Sequence, residues 1–439
     1  MEIVNNPGRK EWAKLLQRPY YDNSPVLQSV QSIMNEVKQN GDKAVQQFSK
    51  EFDGVSKKNF TVSEDEIKSA GGKLSTELIA AIQQAKNNIE GFHTAQLQKQ
   101  EVIQTMPGVQ CWRKSVGIEK VGLYIPGGTA PLFSTVLMLA IPAYLAGCKE
   151  VVLCTPCNKD GKIHDAILYA AKECGISKIF KIGGAQAIAA MAYGTETIPA
   201  VYKIFGPGNQ YVTAAKQFVQ MQGIAIDMPA GPSEVCVIAD ESANPAFVAA
   251  DLLSQAEHGI DSQVLLVSIS ESFVEETIEE IEKQIKNLPR KKIAEKVLAN
   301  SKAVIVTNIM DGIDLVNEYA AEHLIICCQL ADSVAEQVIN AGSVFIGNYS
   351  PESVGDYASG TNHTLPTNAF ARAYSGVSVD SFVKKITYQK LSQEGLENIS
   401  NTVIEMAEAE GLRAHANAVR VRAPLNPPEG RTSHRPRPA

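Results

Sequence analysis

No stretch of this sequence approaches the ~18–20 consecutive apolar residues that a bilayer-spanning helix needs, so no membrane span is expected. The opening Met1-Glu2-Ile3-Val4-Asn5-Asn6 has no charged segment leading into an apolar run, which argues against a secretory signal. Cysteine is sparse: eight residues scattered through 439 do not make a disulfide framework. Basic charge is not in excess either. Lys plus Arg is 41 against 48 Asp plus Glu, a net charge of −7. General nucleic-acid binding draws its affinity from Lys and Arg on phosphates, so that class is disfavoured. With 44% hydrophobic and 20% charged residues, the chain also lacks the composition that keeps a polypeptide unfolded. At roughly 100–200 residues per domain, two to four domains are expected. The expectation is a soluble, cytoplasmic, multidomain protein.

Residues 1–110 read as helical and charged, with Ser24-Pro25 a helix start and Gly41 and Gly54 as breakers. From about residue 116, short β-branched runs alternate with amphipathic stretches. Strands are predicted over 120–125, 150–155, 178–182, 200–205, 234–239, 263–268, 303–307 and 343–346. Helices are predicted over 133–146, 165–173, 210–219 and 245–257. This alternation predicts βα units, mainly parallel sheets and an α/β fold of two doubly wound domains. A TIM barrel fits the helical first hundred residues badly. After Pro366 the pattern reads helical again, over 381–391 and 396–419, with Gly395 between. The end, 423–439, carries five prolines with Arg431, His434, Arg435 and Arg437, and reads as a disordered tail.

There is no G-x-G-x-x-G. Three other Gly loops follow predicted strands: Tyr124-Ile125-Pro126-Gly127-Gly128, Gly183-Gly184-Ala185-Gln186 and Phe205-Gly206-Pro207-Gly208-Asn209. Glycine lets backbone approach a ligand, and the helix start behind it offers N–H groups. Each is equally consistent with an ordinary βα turn, but three together suggest a nucleotide crevice at the carboxyl edge of a sheet. Histidine is scarce, seven in all, and several lie in polar clusters. Gln255 and His258 are three apart, hence on one helical face, after an Asn244-Pro245 helix start. Two such groups are not a metal site. Glu322-His323, a carboxylate beside an imidazole at a helix–strand junction, suits acid–base work. The loop from Gly355 through Asp356 to His363 is polar and Gly-bounded, as functional loops and plain surface turns both are. Glu410 and His415 diverge on an ideal helix and meet only if it breaks near Gly411. Cys154-x-x-Cys157 ends a strand, unlike redox motifs that open a helix, and reads as incidental.

Ile226-Asp227-Met228-Pro229-Ala230-Gly231-Pro232-Ser233-Glu234, together with Ala249-Ala250-Asp251-Leu252-Leu253-Ser254-Gln255-Ala256-Glu257-His258, resembles the signature of histidinol dehydrogenases. The resemblance runs from about residue 25 to 420 and takes in the three Gly loops, Ala321-Glu322-His323-Leu324 and Glu410-Gly411-Leu412-Arg413-Ala414-His415. It implies oxidation of L-histidinol through L-histidinaldehyde to L-histidine with NAD⁺, the last steps of histidine biosynthesis. By matching position it implies one zinc per subunit held by Gln255, His258, Asp356 and His415. His323 is then the general base and Glu322 the group that activates water. Ser233 and Glu410, with His363 beside them, line the substrate pocket, which the zinc ligands and the acid–base pair complete. Tyr124, Gln186 and Asn209 contact NAD⁺. The resemblance also implies an intertwined homodimer with composite sites. The expected division is an N-terminal helical arm (1–23), a Rossmann-like domain of 24–123 with 235–377 carrying zinc and catalytic residues, and a second of 124–234 contacting NAD⁺. A C-terminal helical arm (378–422) and the tail follow. Other readings are a dehydrogenase of another polar alcohol, a zinc hydrolase using Glu322 or His323, and a non-catalytic nucleotide-binding regulator.

Overall fold

The computed structural model describes residues 1–18, 24–56, 59–127, 131–229 and 231–423. Gly128 of the first Gly loop, Ala230 of the 226–234 motif, residues 19–23 of the expected arm and the tail over 424–439 lie outside the described residues. The chain forms two compact units, Met1–Leu97 with Gly117–Phe382, and Gln98–Val116 with the chain from Val383 onward.

The larger unit holds two all-parallel sheets. One runs in the order Lys178–Lys181, Glu150–Thr155, Lys120–Tyr124, Lys203–Phe205, Ala225–Ile226. The other runs Glu2–Asn5, Lys302–Ile305, Gln263–Ser268, Glu234–Ala239, His323–Cys327, Ser343–Ile346. Each winds outward from its first long strand, Lys120–Tyr124 or Glu234–Ala239, then reverses to the other side. That is doubly wound topology. Strands such as Glu-Val-Cys-Val-Ile-Ala (234–239) are buried throughout, because helices cover both faces of the sheet.

The N-terminal helices find their apolar partner on the five-stranded side. Ser24–Asn40 packs on Gly184–Tyr193 and Gln210–Met221, and Thr76–Thr94 packs on Phe133–Leu145. The sequence grouped 24–123 with 235–377 instead, because an amphipathic stripe shows that a helix needs a partner and not which one. The grouping also cut at residue 123, inside the central strand Lys120–Tyr124.

Other elements also depart from expectation. The first 110 residues are not wholly helical: Glu2–Asn5 is an edge strand beside Lys302–Ile305, and Val102–Met106 forms a hairpin with Val109–Gly117. The 381–391 stretch is the strand Val383–Leu391, neighbour to Val109–Gly117, with Tyr388 stacked on Trp112 at 5.4 Å. Its alternating side chains fit one exposed sheet face better than a helix. Gly395 lies within the helix Gln393–Ala409 and does not separate two elements.

Glycine is required at one site-forming turn. Gly206 has φ +123°, and a Cβ there would meet the Tyr124 carbonyl oxygen at 2.0 Å. Its N–H donates to Asp227 Oδ2 at 2.8 Å, and its carbonyl accepts from Lys216 Nζ at 2.9 Å. Lys216 and Asp227 are buried partners of one another, so the loop is clamped on both sides. Gly206→Ala should therefore lower the melting temperature and displace the loop bearing Asn209, with a cost of about 1–3 kcal/mol. An unchanged melting curve by circular dichroism would show that the turn tolerates a side chain.

Candidate active site

The acid–imidazole pair arises where two buried strands begin. His323 opens the strand His323–Cys327, which lies directly beside Glu234–Ala239. Its Nδ1–H donates to the Glu234 carbonyl at 3.2 Å, which leaves Nε2 facing the site. Nε2 lies 3.5 Å from Asp356 Oδ1, a charge contact longer than a good hydrogen bond, and has no other partner among the described residues. Glu322 Oε2 accepts the Glu234 N–H at 2.9 Å and sits 3.7 Å from His323 Nδ1. One backbone residue, Glu234, thus orients both members.

The Glu234 side chain is itself held. Arg18 donates from Nε and Nη2 to its two carboxylate oxygens, each at 2.6 Å, and the guanidinium lies 4.2 Å over the Tyr319 ring. Asn368 N–H adds a third bond at 2.6 Å. A bidentate, buried pair of this kind gives geometry more than net stability. The sequence showed no link between Arg18 and Glu234, 216 positions apart.

Electrostatics follow from burial among acids. Burial pushes the Glu322 carboxyl up to about 7, against the pull of His323 and of the Glu234 N–H. For His323, burial opposes the charged ring, but Glu322, Asp356 and Glu352 outweigh it and carry the imidazole up to about 10.

Beside the pair, ligand atoms of His258, Glu352 and Asp356 all lie within 4.8 Å of one another. Gln255 occupies the last turn of Pro245–Ala256, and His258 follows in the turn beyond, its N–H bonded to the Gln255 carbonyl at 3.2 Å. The helix thus ends one residue earlier than expected, with Gln255 in its last turn and His258 just past its end. Gln255 is fully buried, and neither amide atom has a partner among the described residues. Buried amides without partners are rare and costly, so this one calls for a ligand. Asp356 stands on Glu352–Tyr357, and its carbonyl accepts His363 Nδ1–H at 2.9 Å. His363 Nε2 then accepts the Thr135 hydroxyl at 3.1 Å, tying Asp356 to the helix Phe133–Leu145. Both ring nitrogens of His363 are engaged, so it positions Asp356. Glu352 was passed over in the sequence. Its spacing of four from Asp356 was the available signal.

A cavity of about 940 Å³ joins the two sheets. Ser233, His258 and Gly259 line it from the starts of the six-stranded sheet, and Gly208 and Asn209 from the carboxyl edge of the five-stranded one. The acid–base pair thus sits at the amino edge of its sheet, while the crevice at a carboxyl edge belongs to the other sheet. Asn209 caps Gln210–Met221 through Oδ1, accepting from the Tyr211 and Val212 N–H groups at 3.1 Å. Tyr124 and Gln186 are buried. The Tyr124 hydroxyl accepts the Gly184 N–H at 3.0 Å, and Gln186 Nε2 points to Asp53 Oδ2 at 3.5 Å. Tyr124 thereby holds the Gly183-Gly184 turn.

Glu410 and His415 belong to the smaller unit. The helix breaks between them, as their meeting requires: Gln393–Ala409 ends, Gly411 takes φ +74°, and Arg413–Arg420 begins. Both are exposed. Cys154 is fully buried with its thiol pushed far up by burial, and Cys327 and Cys328 are pushed up to about 12, so none of these is a thiolate nucleophile at neutral pH.

Two doubly wound sheets, with a buried carboxylate–imidazole pair beside side chains of a kind that could hold a cation, have the make-up of an α/β enzyme. The family model for histidinol dehydrogenase matches residues 16–423, and the chain belongs to that family. It is an oxidoreductase of histidine biosynthesis. Similar relatives include the histidinol dehydrogenase of Bacteroides thetaiotaomicron, 58% identical over 96% of this chain and 99% of that one. The enzyme of that name from Haemophilus influenzae is 51% identical over 97% of this chain and 99% of the relative. The crystal structure of histidinol dehydrogenase from Elizabethkingia anophelis superimposes with a TM-score of 0.94 at 54% identity, covering 96% and 98% of the two chains.

Proposed function

We propose that this chain oxidises L-histidinol to L-histidine through L-histidinaldehyde, with NAD⁺ accepting both hydrides and one zinc per subunit. The observation that carries the reading is the grouping of His258 and Asp356, with Asp356 against His323 and His258 also lining the cavity of Ser233 and Asn209, together with a buried Gln255 amide that has no partner among the described residues. Two imidazole or carboxylate donors and an orphaned amide oxygen fit a divalent cation. When bound, zinc supplies a template for the imidazole and amino nitrogens of the substrate.

The residues of this chain divide the chemistry. In the first oxidation His323 takes the hydroxyl proton as hydride leaves the carbon. In the second, Glu322 takes a proton from water as its oxygen adds to the aldehyde, protonated His323 gives its proton to the aldehyde oxygen, and the freed imidazole accepts a proton again as the hydrate loses hydride. Histidinol, one water and two NAD⁺ give histidine, two NADH and three protons. Asp356 and His258 would hold the cation next to His323, where its charge would offset the acidic groups that push the imidazole up. His415 and Glu410 complete the site from the partner subunit of a homodimer. The two sheets correspond to two Rossmann-like domains, that of the six strands bearing the metal and catalytic residues and that of the five contacting NAD⁺. Among the described residues no helix is long and apolar enough to cross a membrane, and we place the enzyme in the cytoplasm.

Of the other readings, a dehydrogenase of a different polar alcohol remains the competitor within this fold, and imidazole recognition by the whole donor set favours histidinol. With histidinol and NAD⁺, absorbance should record two NADH per histidinol. Chelation should abolish turnover and added Zn²⁺ restore it. Full activity in a demonstrably metal-free sample would refute the zinc requirement, and one NADH per histidinol would refute the second oxidation.

A further inference from the structure

We propose that Glu352 is a further ligand of the cation site, binding the ion directly in the substrate-free enzyme and giving up its place when substrate arrives. The inference rests on the metal-site reading above. Glu352 is 1% exposed, and its Oε2 has no partner among the described residues. It stands four residues before Asp356 on one short helix, so both carboxylates share a face. Its ligand atom lies within 4.8 Å of those of His258 and Asp356. Bonds of about 2.1 Å to a shared ion span about 4 Å between donors, so a small side-chain adjustment closes the cluster.

Charge argues the same way. A divalent ion held by one carboxylate and neutral donors leaves a buried net charge, which is costly to keep from water. A second carboxylate neutralises it. With Gln255, His258, Asp356 and His415 as the other holders, the two substrate nitrogens would compete with Glu352 for the ion. Glu352 therefore serves the site before substrate binds and gives up its place afterwards.

The test uses the full-length protein loaded with Zn²⁺ or Co²⁺. In competition with a chromophoric chelator, Glu352→Gln should bind Zn²⁺ at least about tenfold more weakly than the parent. Affinity alone does not separate a ligand from a neighbour of one, so the Co²⁺ spectrum decides. Without histidinol, the visible bands of Glu352→Gln should differ from those of the parent, and with saturating histidinol the two spectra should coincide. Superimposable spectra without substrate would overturn the proposal. His258→Asn and Asp356→Asn are the reference. If they too keep the parent's zinc affinity, the metal-site reading itself fails; if they lose it while Glu352→Gln does not, only the role of Glu352 fails. Should Glu352→Gln not fold by circular dichroism, Glu352→Asp carries the same spectral test, its carboxylate being too short to reach the ion.

Discussion

Mixing two inactive preparations, one carrying His258→Asn and the other His415→Asn, should restore activity to about a quarter of the parent's once subunits have exchanged. Random pairing makes half of the dimers mixed. In each of those, one site collects both defects and the other has neither, so one site in four works. His258 lies in the larger compact unit and His415 on the helix Arg413–Arg420 of the smaller one. Exchange of a terminal element between protomers is a low-cost route to a dimer. Each single variant should lose nearly all turnover and, with it, most of its zinc. Verified mixed dimers that stay inactive would place both residues of a site in one chain and rule out the composite arrangement.

The second large effect separates the members of the buried pair. His323→Asn should lower the rate of both oxidations by ~10²–10⁴, the usual contribution of a positioned base. Glu322→Gln should fall hardest on aldehyde to acid, and leave alcohol to aldehyde the less impaired. Gln keeps a carbonyl oxygen to accept the Glu234 N–H, so the fold at the strand start survives the change. Its effect on pH has a definite sign. The Glu322 carboxylate helps to push His323 up, so neutralising it lowers the pH at which the imidazole takes its proton. The acid limb of the remaining alcohol-oxidation activity should move to lower pH. Histidinaldehyde supplied directly tests the division of labour. Oxidation of the aldehyde at the parent rate by Glu322→Gln would remove that residue from water activation, and an acid limb shifted upward would mean that Glu322 does not raise the imidazole.

Some elements were readable one residue at a time. Asp165–Glu173, Glu150–Thr155, Glu234–Ala239 and Gln263–Ser268 fall where apolar runs and turn signals put them, because both signals are local to the chain. Val383–Leu391 did not. Exposed and mixed in composition, it is a strand because Val109–Gly117 offers an edge, and that edge is more than 250 residues away in the chain. Glu2–Asn5 is a strand for the same reason.

For the site, local chemistry and the motif series were enough to single out Gln255, His258, Glu322, His323 and Asp356, since residue type and order survive in a linear string. What lies between them was not legible. Arg18 gripping Glu234, the Glu234 backbone aiming both Glu322 and His323, His363 bridging Asp356 to Thr135, and Glu352 entering the cation cluster all join residues through space. The sequence by itself determined an α/β chain of parallel sheets, its family and the side chains suited to the chemistry, because composition, period and motif are properties of neighbours in the chain. Only the tertiary structure decided which sheet the N-terminal helices cover, that the acid–base pair sits at the amino edge of its sheet, and which charges surround the buried pair. Those depend on which distant surfaces exclude water together, and burial among particular charges is what moves a carboxyl to about 7 and an imidazole to about 10.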